Sequence, residues 1–166
     1  MSDRDDVSVV CFHNPDEENG YLSNWYPSDF ESDGVAFSSM EQYMMYRKAL
    51  CFHDKVTASK IASTDDVAQI KALGRKVAPY DDHHWGGVRQ IVVYEGLLAK
   101  FTQNEPLRKR LLSTGTAVLA ECAVRDRIWG IGMNRELAQR LPVEQWNGEN
   151  LLGCALMEVR DWLQTL

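Results

Sequence analysis

Apolar residues in this chain come in short segments separated by polar punctuation, and the period of each segment predicts an element. Val7 to Phe12 is rich in β-branched and aromatic residues, which predicts a short strand. His13 to Gly20 reads as a turn. Tyr21 to Pro27 is aromatic-rich, has no period and ends in proline, which suits a loop pressed against the body. Asp33-Gly34, between Phe30 and Val35-Ala36-Phe37, is a hairpin signal that leads straight into a helical segment from Ser38 to Ala49. Beyond it the period is mainly helical. His53 to Ser63 predicts a second helix, and Thr64-Asp65-Asp66 caps a third that runs to Leu73 and is stopped by Gly74. Trp85 to Phe101 carries Val88, Ile91, Val92, Leu97, Leu98 and Phe101 as one stripe, the pattern of a central core helix. Asn104-Glu105-Pro106 opens the next helix, with proline in the first turn where its missing N–H costs nothing, and Thr114-Gly115 closes it. Ala117 to Ala123 reads as a buried strand, Val124 to Asn134 as a loop, Glu136 to Leu141 as a short helix and Leu151 to Leu163 as a last amphipathic one. Six or seven helices against a few short strands give an α+β class, mostly α, with a loose tail over 1–6 and one domain over 7–166.

Composition narrows this picture. A chain of 166 residues is long enough for one core that buries roughly 70% of its unfolded surface. No apolar run approaches a membrane span, and the acidic start Met1 to Asp6 lacks the basic-then-apolar order of a secretory signal, so an intracellular, cytoplasmic protein without membrane contact is expected. Cys11, Cys51, Cys122 and Cys154 lack the close pairs that zinc sites and disulfide frameworks use, which predicts reduced core thiols. His83-His84 are neighbours with no histidine or glutamate at the following turn, and no metal or other cofactor is expected. The net charge of −6 argues against gripping long stretches of nucleic acid, whose affinity rests on cations that neutralise phosphates. A local basic pocket is still allowed, drawn from Arg47, Arg75, Lys76, Arg89, Lys100 and the run Arg108-Lys109-Arg110.

The candidate chemistry starts on the helix after the hairpin. A 3.6-residue repeat puts Glu41, Met44, Met45 and Lys48 on one face, with the acid and the amine about 10 Å apart along the axis. Each has a plainer reading: Ser38-x-x-Glu41 also spells a capping box, and Lys48 is also a candidate for a solvated side chain. Trp129-Gly130-Ile131-Gly132 offers backbone that a ligand can approach, without the third glycine of a dinucleotide fingerprint. Glu121 and Asp126 are either ligand-facing carboxylates or surface and capping acids. Trp25, Trp85, Trp129 and Tyr21 are either stacking faces, worth about 1–3 kcal/mol per base, or core. Arg75 and Lys76 form a cation pair at a helix end, suited to phosphate or simply favoured there by the helix dipole. Asn150 stands where a cap for the last helix belongs. These features describe a domain with a polar cleft and name no reaction.

Several segments taken in order do more: Leu22-Ser23-Asn24-Trp25-Tyr26; Asp33-Gly34 with Ser39-x-Glu41-x-Tyr43; Lys48-Ala49; Leu73-Gly74-Arg75-Lys76-Val77; Trp85 with Arg89; Ala99-Lys100-Phe101-x-Gln103-Asn104; Leu112-x-Thr114-Gly115; Glu121; Asp126-x-x-Trp129-Gly130-Ile131-Gly132; and the stretch from Gly148 to Arg160. Across roughly residues 10 to 163 the chain resembles the NADAR (YbiA-like) family. The resemblance implies a YbiA-like fold and an N-glycosidase that cuts the bond between ribose C1′ and an exocyclic amine. Two substrate classes follow from it: ADP-ribose on guanine in DNA or RNA, and the phosphoribosylamino-pyrimidine intermediates of riboflavin synthesis. A non-catalytic ADP-ribose reader using the same pocket is the alternative. Gln42, Met45 and Gly86 depart from the His, Gln and Asp expected in that family, which bears on the base or linker that is read.

Both substrates carry ribose on an exocyclic amine, so the sugar can open to an imine. On one route neutral Lys48 displaces the base amine by transimination and water hydrolyses the Schiff base. That needs the Lys48 pKa lowered by about 3 units. An ionised Glu41 at about 10 Å opposes this by roughly 1.7 kcal/mol at an effective dielectric near 20, so Glu41 serves better protonated, as the acid. On the other route the ring stays closed, Glu41 or Asp126 supports an oxocarbenium-like centre, and Lys48 only binds. In either case Asn24, Trp85, Trp129 and the backbone at Gly130 and Gly132 are expected to hold substrate, joined by Arg75, Glu121 and Asn150.

Overall fold

A computed structural model describes residues 7–166; the tail assigned to 1–6 lies outside the described residues. The first strand, β1 (Val9–Phe12), lies parallel to β4 (Val118–Glu121), with Cys11 opposite Ala120 and Phe12 opposite Glu121. A 3-10 turn over Gly20–Leu22 carries the chain to an antiparallel hairpin of β2 (Pro27–Ser32) and β3 (Val35–Ser39). Pro27 therefore starts a strand, opposite Ser39, where the sequence suggested the end of a loop. The hairpin turn is Asp33-Gly34, both at positive φ (51° and 77°), the backbone that a two-residue connection needs to match the strands' twist. Phe30 and Phe37 face each other across it at 5.7 Å, and Phe37 meets Tyr43 edge-on at 5.1 Å, which seats the hairpin on the helix that follows.

That helix, α1 (Met40–Cys51), packs against α2 (Lys55–Ala62), α3 (Val67–Gly74) and α4 (Asp82–Gln103), so it is buried on several sides from Met40 to Met45. Its cap is Ser39, whose Oγ accepts from Gln42 N–H at 3.1 Å; the Ser38 capping box does not form, and Glu41 is released from that role. Gln42 takes the structural part. Its Oε1 accepts from Ser38 N–H at 2.7 Å, and its Nε2 donates to the carbonyls of Ile61 and Thr64, tying the hairpin to the end of α2. Gly74 is the last residue of α3 and no left-handed stop; a Cβ there would come within 2.0 Å of Met45 Sδ, so any larger residue would have to displace the Met45 side chain between α3 and α1. Helix α4 starts a turn before the apolar stripe because Asp81 Oδ1 accepts from His84 N–H at 2.8 Å.

The C-terminal part closes the same core. After α5 (Glu105–Ser113), the turn at Thr114 to Ala117 is held by buried Arg160 of α7 (Leu151–Gln164), which donates to Thr114 Oγ1 and to the Ala117 carbonyl at 2.9 and 2.7 Å. Helix α6 (Arg135–Arg140) packs beside β1. All four cysteines are free, Cys11 and Cys122 buried, the other two half-buried. Among the described residues no helix is long and apolar enough to cross a membrane. The architecture is α+β, mostly helical.

Candidate active site

Glu41 sits in the first turn of α1, 5% exposed, with its N–H donating to the carbonyl of buried Asn24 at 2.8 Å. The 20–26 segment thus fixes where the helix begins. Burial pushes the Glu41 carboxyl up to about 7; Lys71 pulls it down most among the charges, while the carboxylate of Asp126 pushes it further up. Glu121, at the end of β4, is raised to about 8 by burial and then by Asp126 and Glu41, with Lys71 opposing. Its Oε2 is buried with no hydrogen-bond partner, as is Oδ1 of Asn24. Three acids thus act on one another, and their mutual repulsion adds to the burial that raises Glu41 and Glu121.

Two turns along α1, Lys48 is half-buried and donates to the carbonyl of Gly74 at 2.8 Å. The last carbonyls of a helix lack partners inside it, so the amine caps α3 while staying on the Glu41 side of α1. Burial lowers its pKa, with Arg75 helping and the carboxylates of Glu41 and Asp82 opposing. The ammonium also lies 4.6 Å from the centroid of Tyr80, whose hydroxyl donates to Asp82. The shared face expected from the helical period is therefore present, with Met44 and Met45 buried alongside.

The loop from Cys122 to Asn134 brings the remaining acid. Asp126 Oδ1 accepts from the amides of Ile128 and Trp129 at 2.9 and 2.8 Å, so it shapes the loop while its charge reaches Glu41 and Glu121. The loop is docked on α7, whose first amides, Leu151 and Leu152, donate to the carbonyls of Ile128 and Trp129. Those carbonyls do what a side-chain cap would otherwise do.

This geometry corrects several expectations. Asn150 does not cap α7 with its side chain; it is buried at φ 53° and bridges β4, accepting from Glu121 N–H at 3.2 Å and donating to the Leu119 carbonyl at 2.9 Å. Neither Gly130 nor Gly132 offers open backbone to a ligand. A Cβ at Gly130 would meet the carbonyls of Glu121 and Asp126 at 2.9 Å, and Gly132, at φ 69°, lies against Arg127 and Asn147. Trp85, 6% exposed, belongs to the main core and has no free face for a base. Arg75 is exposed at the end of α3, close enough to act on both Glu41 and Lys48. Lys71, Tyr80 and Asp82 are not singled out by the sequence, whereas Arg89 is among its basic-pocket candidates. The i, i+4 spacing of Lys71 and Arg75, which puts both on one side of α3, was the available signal.

Two hollows lie elsewhere. One of about 470 Å³ runs between α2 and α3 past Ser59, Ser63 and Gln69; one of about 610 Å³ lies beside the hairpin at Phe30, Phe37 and Gln42. Neither is lined by Glu41, Lys48 or Glu121. The buried Glu41, the unpartnered Oε2 of Glu121 and the half-buried amine, rather than the size of a hollow, mark where chemistry is possible.

The NADAR domain family matches residues 11–164. The chain is 38% identical to N-glycosidase R617 of Acanthamoeba polyphaga mimivirus, over 92% of this chain and 94% of that protein. It is 34% identical to a riboflavin biosynthesis protein of Vibrio vulnificus, over 93% of this chain but 38% of that one. The NMR structure of the Escherichia coli protein YbiA superposes with a TM-score of 0.79 at 27% identity, covering 95% of this chain and 86% of the other.

Proposed function

We propose that this chain, which belongs to the NADAR domain family and is a hydrolase of N-glycosyl bonds, removes ADP-ribose from the exocyclic amine of guanine in nucleic acid. Relatives named N-glycosidases support the reaction class. The observation that carries the mechanism is the opposed shift of two groups on one face of α1: burial lowers Lys48 and raises Glu41 to about 7, which moves each towards its uncharged form.

In this reading the amine nitrogen of the base expels the ribose ring oxygen, which takes the Glu41 proton as it leaves C1′. Neutral Lys48 Nζ adds to the resulting imine at C1′. One Nζ proton passes to the guanine nitrogen, which departs with its electron pair and leaves a C1′=Nζ linkage. Water adds to C1′, ionised Glu41 takes back a proton, and Lys48 is released with free ADP-ribose. The net change is one N–C1′ bond hydrolysed by one water. Burial, with Asp126 adding to it, raises Glu41; burial, with Arg75 adding to it, lowers Lys48; and Asn24, whose Oδ1 has no protein partner, receives a hydroxyl of the sugar.

The Vibrio relative's name favours a second substrate class, the ribosylamino-pyrimidine phosphates, which share the same linkage. Incubation with an ADP-ribosylated guanine oligonucleotide and, separately, with a ribosylamino-pyrimidine phosphate tests the choice. Release of free ADP-ribose from the first is the expected result. Cleavage of the second alone, or tight binding of the first without release, overturns it.

A further inference from the structure

The two tryptophans nearest the acids already carry cations. Lys71 Nζ lies 5.6 Å from the centroid of Trp25, and the guanidinium of Arg89 lies 6.0 Å from that of Trp129. Among the described residues neither cation makes a salt bridge, whereas Arg47, Lys109, Arg135 and Arg140 do. Arg89 Nε is buried without any hydrogen-bond partner. The cations come from different elements, α3 and α4, and each ring belongs to a segment tied to an acid: Trp25 follows Asn24, whose carbonyl holds Glu41 N–H, and the Trp129 amide donates to Asp126.

A cation on an aromatic face is held in place while keeping N–H groups free, and a guanidinium with an unpaired Nε is short of an acceptor. Arg89 Nε lacks an acceptor, Lys71 is exposed with its N–H groups free, and among the described residues no acid forms an ion pair with either. We infer that Lys71 and Arg89 form a two-point clamp for the phosphates of a ribose-diphosphate ligand, with Trp25 and Trp129 serving as mounts for the cations and not as stacking faces for the base. Lys71 is also the cation that most lowers Glu41 and the one that lowers Glu121, so a phosphate bound there weakens that pull and favours the protonated acid. The clamp deepens the proposed function: it assigns recognition of the diphosphate and depends on that reading for the identity of the sugar.

Calorimetry with free ADP-ribose, adenosine and inorganic pyrophosphate tests it apart from the reaction. Wild-type protein binds ADP-ribose, and pyrophosphate competes. Lys71→Met and Arg89→Met each lower the ratio of ADP-ribose to adenosine affinity at least tenfold, while Lys71→Arg and Arg89→Lys recover most of it. Far-ultraviolet circular dichroism confirms that the variants are folded. Binding with this dependence but no release of ADP-ribose from guanine keeps the clamp and removes the reaction. Release of ADP-ribose by variants that bind it as tightly as wild type, or a wild-type protein indifferent to pyrophosphate, overturns the clamp.

Discussion

The molecule buries ionisable groups without counter-ions in two places, and they behave in opposite ways. At the α1–β4 edge, Glu41 and Glu121 are raised to about 7 and 8. Under the 20–26 segment, Lys100 is 0% exposed, donates to the Tyr21 carbonyl at 2.7 Å, has the rings of Tyr26 and Phe101 at 5.5 and 5.1 Å, and is lowered to about 7 by burial alone. For the acids the native state holds protons that the unfolded chain has lost, so they contribute stability below about pH 4.5 that disappears as pH rises through 7 to 8. For Lys100 the unfolded chain holds the proton, so stability grows as pH rises from about 7 towards the ordinary lysine value of 10.5. The difference teaches what separates a site from a core feature. Glu41 and Glu121 are both reached by Lys71 of α3 and by Asp126, and Glu41 also by Lys48, so a ligand can exchange with those neighbours. Lys100 is acted on by no other charge, and its bond to Tyr21 only anchors the segment that presents Asn24 to Glu41.

The comparison can be broken most forcefully on the acid side. Glu41→Gln is expected to lower kcat by about 10²–10⁴-fold, the range for a lost general acid, and to abolish the fall in rate as pH rises through about 7. A pH–rate profile with that limb intact would reassign the acid. Gly74→Ala forces a methyl into Met45 Sδ and disturbs the carbonyl that holds Lys48, and a loss of about 1–3 kcal/mol in urea unfolding is expected together with reduced activity. Lys100→Met is expected to raise stability at pH 6 by about 2 kcal/mol, after the lost hydrogen bond is counted, and to remove the upward slope of stability between about pH 7 and 10. A variant less stable at pH 6, with the slope unchanged, would make Lys100 an ordinary structural donor. The smallest effect is expected at Glu121→Gln. Glu121 is mostly protonated at pH 7, so the amide replaces one neutral group with another and activity falls less than about tenfold there, with the larger change near pH 8.

Much of this was legible before any coordinates. The helical period alone placed Glu41 and Lys48 on one side of α1, and Asp33-Gly34 specified the hairpin, because both follow from backbone geometry within a few residues. What depended on neighbours distant in the chain was not legible. Ser38 and Ser39 are equivalent on paper, and only β3, which ends at Ser39, decides which one caps. Gln42 was read as a change in the site but serves as a brace to α2, and the carbonyls that accept its amide lie about 20 residues on. The sequence leaves the tryptophans open between stacking faces and core, because nothing local reveals that Lys71 and Arg89 lie over two of them, or that the core takes Trp85. Lys100 was one basic residue among several; its burial comes from α4 packing beneath the 20–26 segment.

The central claim is that Lys48 becomes covalently attached to C1′ during turnover. Mixing the protein with an ADP-ribosylated guanine oligonucleotide in the presence of borohydride, followed by mass spectrometry of the digested protein, tests it directly. The account predicts one reduced ADP-ribose adduct, on the peptide that contains Lys48. Complete release of ADP-ribose with no adduct, or an adduct on any other lysine, would contradict it.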